Sequence, residues 1–228
     1  MSKHSDAKTC NNLKIRTGIS RLDDLLRGGF DPSIIHFFGA AGTGKSNLAM
    51  QITINAIKDY DANPIWMDLN ANFDFKRLLS LADYDKGIVQ KFRLIQPLDY
   101  DYFKQTINNM DTIITHATKV IVIDPITYYY RLNVSSKIWF KLQHELSELI
   151  LARLIGYVMR NKLIVILINQ MTNKGDELIA VCQDIIERHS IYSILFERID
   201  RRKLFLRKLK NVKLNHPIDF QILDKYLM

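Results

Sequence analysis

Ile34-Ile35-His36-Phe37-Phe38 runs into Gly39-Ala40-Ala41-Gly42-Thr43-Gly44-Lys45-Ser46 and then into Asn47-Leu48-Ala49-Met50-Gln51-Ile52. The first run is apolar and too short for a core helix, so it reads as a buried strand. The glycines break it, and the apolar spacing that follows is helical. A strand, a turn carrying G-x-x-x-x-G-K-[ST] and a helix, in that order, fit a phosphate-binding loop. The spacing has a physical reason: successive backbone N–H groups, unhindered at Gly39, Gly42 and Gly44, curl around a phosphate chain at the positive end of a helix. Lys45 then reaches the β- and γ-phosphates and the Ser46 hydroxyl ligates Mg2+. Ala40, Ala41, Thr43 and Asn47 complete the expected nucleotide-binding segment. The alternative is a glycine turn followed by chance by Lys-Ser, and the flanking strand and helix count against it.

The 228 residues suffice for one α/β domain with a full core, expected over 14–228 behind a flexible polar segment at 1–13. Apolar residues at 47% and charged residues at 25% are the balance of a globular protein, and no apolar run approaches a membrane span. The polar start carries no secretory stretch, and Cys10 and Cys182 are too far apart for a metal-like spacing. A reducing, cytoplasmic setting without a membrane partner is the expectation.

Working outward, Leu22, Leu25 and Leu26 mark a short helix that Gly28-Gly29 stops, with Ser20 as its expected N-cap. Past the phosphate loop, Ile65-Trp66-Met67-Asp68 is the next buried strand, and Leu69-Asn70-Ala71-Asn72 emerges at its carboxyl end, where ligands bind in open parallel sheets. Phe73 to Ala82 is helical, Phe92 to Ile95 a short strand, and Asp99 to Ala117 mostly helical. Val120-Ile121-Val122-Ile123 runs straight into Asp124, as a buried parallel strand with a functional tip does. Asp124 is the natural partner of the Mg2+ held by Ser46, although a strand-end aspartate can also cap the next helix. A long helix is expected from Lys137 to Asn161, capped by Ser135 or Ser136. Leu163 to Ile168 is another buried strand with Asn169-Gln170 at its tip, and Met171 to Asp184 reads as loop with a short helical piece. Ile191 to Arg198, Leu204 to Lys208 and Ile218 to Leu223 close the chain as short strands. Alternating β and α ending in consecutive strands gives a mostly parallel central sheet flanked by helices, with C-terminal antiparallel strands.

These motifs, in this order, resemble the RecA/RadA recombinase superfamily, in particular its short archaeal RadB-type paralogues. The matching text is Thr17-Gly18-Ile19 with Leu22 to Gly29, the phosphate loop, Met67-Asp68 through Phe73 with Arg77-Leu78, Val122 to Thr127 with Tyr130-Arg131, and Ile168-Asn169-Gln170. The resemblance spans roughly 17–220. It implies a RecA-like P-loop NTPase core that binds ATP and Mg2+ and acts in homologous recombination and DNA repair, with the stretches after Asp124 and Gln170 facing DNA. It further implies that Gln170 senses the γ-phosphate. Asn70 stands where many recombinases place a glutamate that orients water, and an amide can hold water but cannot accept its proton. Slow hydrolysis is therefore expected, with Lys45, Gln170 and Asn70 as the residues acting on the triphosphate. The start of the chain lacks the family's N-terminal DNA-binding domain and Phe-x-x-Ala motif, so a monomer or small oligomer without long filaments is expected.

The net charge is +8, and Arg198, Arg201, Arg202, Lys203, Arg207, Lys208, Lys210 and Lys213 crowd against the single acid Asp200. Such a run is either the footprint of a polyanion or a solvated edge strand guarded against aggregation. As phosphate contacts for single-stranded or branched DNA the candidates are Arg131, Lys174, Arg201, Arg202, Lys203, Arg207 and Lys208; Tyr128, Tyr129, Tyr130 and Trp139 are candidates for base stacking. A second reading is a nucleotide-gated regulator of a main recombinase or junction nuclease that does not itself bind DNA. A KaiC-like signalling ATPase is a third, without a tandem domain or phosphosite cluster to support it.

Overall fold

The computed structural model describes residues 13–174, 177–198, 202–209 and 212–220. Helix α1 (Ser20–Leu25) leads to β1 (Ile34–Gly39), α2 (Lys45–Tyr60) and β2 (Ile65–Asp68). Helices α3 (Phe75–Leu81) and α4 (Lys86–Gln90), strand β3 (Arg93–Ile95) and helix α5 (Tyr100–Asn108) follow. Strand β4 (Val120–Asp124) ends beside a single turn, α6 (Tyr128–Arg131), and then come α7 (Trp139–Glu145) and α8 (Ala152–Asn161). The remaining elements are β5 (Ile164–Lys174), β6 (Glu177–Ala180), α9 (Gln183–His189), β7 (Tyr192–Arg198), β8 (Arg202–Leu209) and β9 (Val212–Phe220).

The strands form one sheet in the order β3-β2-β4-β5-β1-β7-β8-β9, with β6 attached to β5. Pairings from β3 through β7 are parallel, and β7–β8, β8–β9 and β5–β6 are antiparallel. Period-two alternation sorts the parallel strands onto two faces. Ile35, Phe37, Val120, Val122, Ile164, Ile166 and Ile168 pack with α2, α3 and α4 in one core; Ile34, Ile121, Ile123, Val165 and Leu167 pack with residues of α5 to α9 in the other. Both faces are covered, so the strands read as unbroken apolar runs. Because β1 lies between β5 and β7, the loop leaving its carboxyl end opens where the chain direction of the crossovers changes, the usual place for a ligand.

Several expectations need correction. Ser20 lies inside α1; Ile19 occupies the cap position without a side-chain cap bond, and Asp23 instead binds the backbone of Thr17 and Gly18. Neither Ser135 nor Ser136 caps the long helix, which begins at Trp139 behind Ile138, while the Ser136 hydroxyl donates to Asn133. That helix is interrupted by a π-helical stretch, Leu146–Leu151, which widens one turn without disturbing the apolar stripe. The segment after Gln170 is a β-hairpin: β5 continues to Lys174 and pairs with β6, Met171 against Ala180 and Thr172 against Ile179. The last strand is Val212–Phe220, and residues 1–12 and 221–228 lie outside the described residues.

Candidate functional site

The phosphate loop owes its shape to three glycines. Gly39 has φ +148°, and a Cβ there would lie 2.2 Å from the carbonyl oxygen of Phe196 on β7, so the loop starts under a neighbour that admits no side chain. Gly42 and Gly44 have φ +72° and +105°, and Gly44 is the N-cap of α2 with no side-chain cap bond. The first amides of a long helix therefore face outward for an anion.

Lys45 is 5% exposed. Its Nζ donates to the carbonyl oxygens of Gly39 at 2.8 Å and Ala40 at 2.6 Å, and to Thr43 Oγ1 at 3.3 Å. Burial lowers the ammonium to about 8, opposed by the nearby Asp124 carboxylate. At the next residue, Ser46 Oγ donates to Asp124 Oδ2 at 2.6 Å. Burial raises Asp124 to about 6; the Ser46 bond and Lys45 pull it down, and Asp68 across the β2–β4 register adds a rise. α6 begins behind Thr127 with no side-chain cap bond, so the Asp124 carboxylate is turned to Ser46 and not to that helix.

The donor set fits the implied metal. A hydroxyl and a carboxylate oxygen in contact are hard oxygen ligands, and Mg2+ takes few protein ligands besides phosphates and water. Among the described residues no group of three or more His, Cys, Asp or Glu gathers elsewhere for a metal. Ala40 and Asn47 are half-buried, and Ala41 and Gly42 are exposed along the same loop.

Gln170 stands beside the loop, its Cα paired in register with Gly39. Its Oε1 accepts a hydrogen bond from Arg131 Nη1 on α6. Asn70 sits in the turn after β2, a turn shaped by buried Asp68, which accepts from the amides of Asn72 and Phe73 and from Gln96 Nε2. Both Asn70 and Gln170 line a cavity of about 1100 Å3, together with Tyr128, Arg131, Trp139 and Arg188. The phosphate loop does not line it; Gln170, in register with Gly39, is the lining residue that stands beside the loop. Tyr129 and Tyr130 are buried in the core and unavailable for stacking.

Of the basic candidates, Arg131 is exposed at this cavity. Lys174 lies on β5, and Arg202, Lys203, Arg207 and Lys208 on β8, placed by their backbone; Arg201 lies outside the described residues. β8 is paired on both sides, by β7 and β9, which rules out the edge-strand explanation of its charge. A bulge opposite Ser193 and Ile194 falls at Arg207.

Four buried residues to which the sequence assigned no role complete the region. Thr127 Oγ1 donates to Asn169 Oδ1 at 2.8 Å, and Asn169 Nδ2 donates to Val181 O at 2.9 Å and lies 3.3 Å from His36 Nε2. His36 Nδ1 lies 3.1 Å from Ser193 Oγ, which donates to Glu187 Oε1 at 3.2 Å. Since the serine proton is committed to Glu187 and the amide donates to Nε2, the chain is satisfied only by neutral His36 carrying its proton on Nδ1. Burial agrees, lowering His36 to about 3. The signals were present, a histidine inside an apolar strand and an asparagine at a strand tip, but neither names its partner.

A glycine loop between β1 and α2, its serine bonded to a strand-end aspartate on a mostly parallel sheet with helices on both faces, defines a RecA-like α/β core. A family model described as Rad51 matches residues 8–213. The chain belongs to the Rad51 family, as one of its RadB-type members. It is 31% identical over 165 residues to the "DNA repair and recombination protein RadB" of Thermococcus onnurineus, covering 69% of each chain. To the protein of the same description from Pyrococcus horikoshii it is 30% identical over 164 residues, 69% of this chain and 67% of the relative. A solved structure, "Crystal structure of the RadB recombinase", superposes with TM-score 0.77 at 21% identity over 93% of this chain and 98% of that one, which is a likeness of fold. Among the described residues no helix is long and apolar enough to cross a membrane.

Proposed function

We propose that this chain, acting as one core over 14–228, binds ATP with Mg2+ at Gly39–Ser46 and DNA along the cavity beside Gln170, as an accessory protein of homologous recombination and DNA repair with slow hydrolysis at most. The observation that carries the reading is the Ser46–Asp124 contact of 2.6 Å directly after the glycine loop. In this reading Lys45 exchanges the carbonyls of Gly39 and Ala40 for β- and γ-phosphate oxygens. Ser46 and Asp124 hold the metal, and Gln170 touches the terminal phosphate. Bound Mg2+ neutralises phosphate charge. Asn70 orients water without taking its proton, which keeps turnover low; Asn70→Glu should raise it.

Arg131 and Arg188 at the cavity, with half-buried Tyr128 and Trp139, offer single-stranded DNA both phosphate contacts and stacking surfaces. Lys174 on β5 and Arg202, Lys203, Arg207 and Lys208 on β8 are further candidates for phosphate contact. The test is ATP binding by calorimetry and oligonucleotide binding over a salt series, on wild type and Lys45→Ala. Binding that weakens steeply with salt supports phosphate contact. ATP affinity unchanged in Lys45→Ala would sink the nucleotide assignment.

One observation favours a second reading, a regulator of a main recombinase or junction nuclease. Leu132, Val134 and Ile138 between α6 and α7, with Phe140 in the first turn of α7 and 81% exposed, cluster in sequence, and apolar exposure of this kind suits a protein partner. Oligonucleotide binding that is absent, or insensitive to salt, would favour it.

A further inference from the structure

We infer that Arg131 is a positioning residue for Gln170: its guanidinium fixes which end of the glutamine carboxamide is offered to a terminal phosphate. The inference rests on the reading that a nucleoside triphosphate lies at Gly39–Ser46.

The segment holding Arg131 has little stability of its own. α6 spans only Tyr128–Arg131, too short to persist alone. It is stitched instead to the end of β5 at three successive levels. The Ile126 amide donates to Ile168 O at 2.9 Å; the Thr127 hydroxyl donates to Asn169 Oδ1 at 2.8 Å; Arg131 Nη1 donates to Gln170 Oε1. The first two bonds are buried, so the backbone of the turn is fixed relative to β5 and Arg131 reaches Gln170 from a defined anchor.

The chemistry of the pair then fixes an orientation. A guanidinium carries only donors, so the carboxamide atom facing it must be the oxygen. Both N–H donors of Gln170 are left for another acceptor. A phosphate offers acceptors only, and Gln170 lies in register beside Gly39, the first residue of the phosphate loop. Arg131 therefore selects the flip state in which Gln170 can donate to a phosphate, and disfavours the state in which an amide oxygen would face one. Without Arg131 the carboxamide is free to turn.

A diphosphate does not reach the position that Gln170 senses in this reading, so the readout is discrimination between tri- and diphosphate. The affinities of a non-hydrolysable ATP analogue and of ADP, each with Mg2+, are measured by titration calorimetry for wild type, Arg131→Ala, Arg131→Lys, Gln170→Ala and the double variant. Arg131→Ala should lower the ratio of triphosphate to diphosphate affinity about fivefold, the cost of ordering a carboxamide side chain no longer held in place, through the triphosphate alone. Gln170→Ala should lower it at least as far, the double variant no further than Gln170→Ala, and Arg131→Lys, which keeps a donor, should recover most of the loss. An unchanged ratio in Arg131→Ala, or losses that multiply in the double variant, overturns the inference. Weaker oligonucleotide binding with an unchanged ratio overturns it too, leaving Arg131 as an anion contact and the nucleotide reading intact. Wild type that binds neither nucleotide removes the reading and the inference with it. Affinity for ADP reports folding of each variant, and both side chains are at least partly exposed, so none should fail to fold.

Discussion

Gly39 and Gln170 are neighbours across the sheet, yet the two tips they belong to are built by different means. The phosphate loop is made by the chain next to it: Lys45 bonds a carbonyl six positions back, and the backbone turns on Gly42 and Gly44. The tip of β5 is made by distant residues. Asn169 meets Thr127 at a separation of 42 positions and His36 at 133, and His36 meets Ser193 at 157. A site built locally tolerates change elsewhere, whereas one built from register depends on the whole sheet. Substitutions in the loop should therefore cost binding, and substitutions behind Gln170 should cost stability.

Lys45→Ala gives the largest expected effect. Removing a buried cation aimed at phosphate should weaken ATP binding several hundred-fold, about 3–4 kcal/mol. The melting temperature should fall only a few degrees, because the turns at Gly42 and Gly44 hold the loop and Lys45 adds hydrogen bonds to carbonyls already placed by them. A collapse of the fold in Lys45→Ala would break the comparison, since it would make the lysine a structural support.

Gly39→Ala probes a place where the loop leans on a distant element. The new Cβ would meet the Phe196 carbonyl at 2.2 Å, at a backbone angle L-residues rarely adopt. The cost should be about 3 kcal/mol of stability in urea unfolding. Gly42→Ala, with φ +72° and nothing within 4 Å of the added atom, should cost about 1–2 kcal/mol. Equal costs at the two positions would mean that β7 does not press on the loop.

How much of this could be read from the sequence follows the same division. β1, the glycine loop and α2 were legible to within two residues because the signals of strand, turn and helix are contiguous. β4 and its terminal Asp124 were legible because a run of branched apolar residues has few alternatives. The hairpin after Gln170 was not: Met171-Thr172-Asn173-Lys174 is too polar to signal burial, and it is a strand only because β6 pairs with it. Helix caps were misread at Ser20, Ser135 and Ser136, where a serine has the right chemistry but the backbone turns elsewhere. Asp68 was read as a strand end and proves to organise the turn that carries Asn70. The partners of Gln170 and Asn169 were illegible for the plainest reason, since hydrogen bonds across tens of residues leave no local pattern.

Asn169→Leu tests the other half of the comparison. It keeps the volume and strips His36 Nε2, Thr127 Oγ1 and Val181 O of a partner. Leaving such buried groups unsatisfied should cost about 2 kcal/mol, lowering the melting temperature by roughly 4–8 °C. Thr127→Val, which removes one donor, should cost about half as much. Nucleotide affinity per folded molecule should change far less than in Lys45→Ala. A loss of affinity without a loss of stability would reverse the assignment of roles.

His36 gives the most selective test, because it separates the buried chain from ordinary packing. In the folded protein burial lowers the ring from 6.5 to about 3, while in the unfolded chain it takes a proton near its ordinary value. Between those two values the unfolded state binds more protons, so stability falls as pH drops below 6.5, at ~1.4 kcal/mol per pH unit from this group alone. Above 6.5 the group contributes no slope. His36→Gln can still donate toward Ser193 and accept from Asn169 but cannot titrate. Urea midpoints followed from pH 7.5 to 4.5 should therefore fall less steeply for His36→Gln than for wild type, the two curves converging toward the acid end. Parallel curves would mean that His36 takes up its proton as readily in the fold as in the unfolded chain. The Thr127–Asn169–His36–Ser193 chain, which requires a neutral ring with an open Nε2, would then not exist in that form.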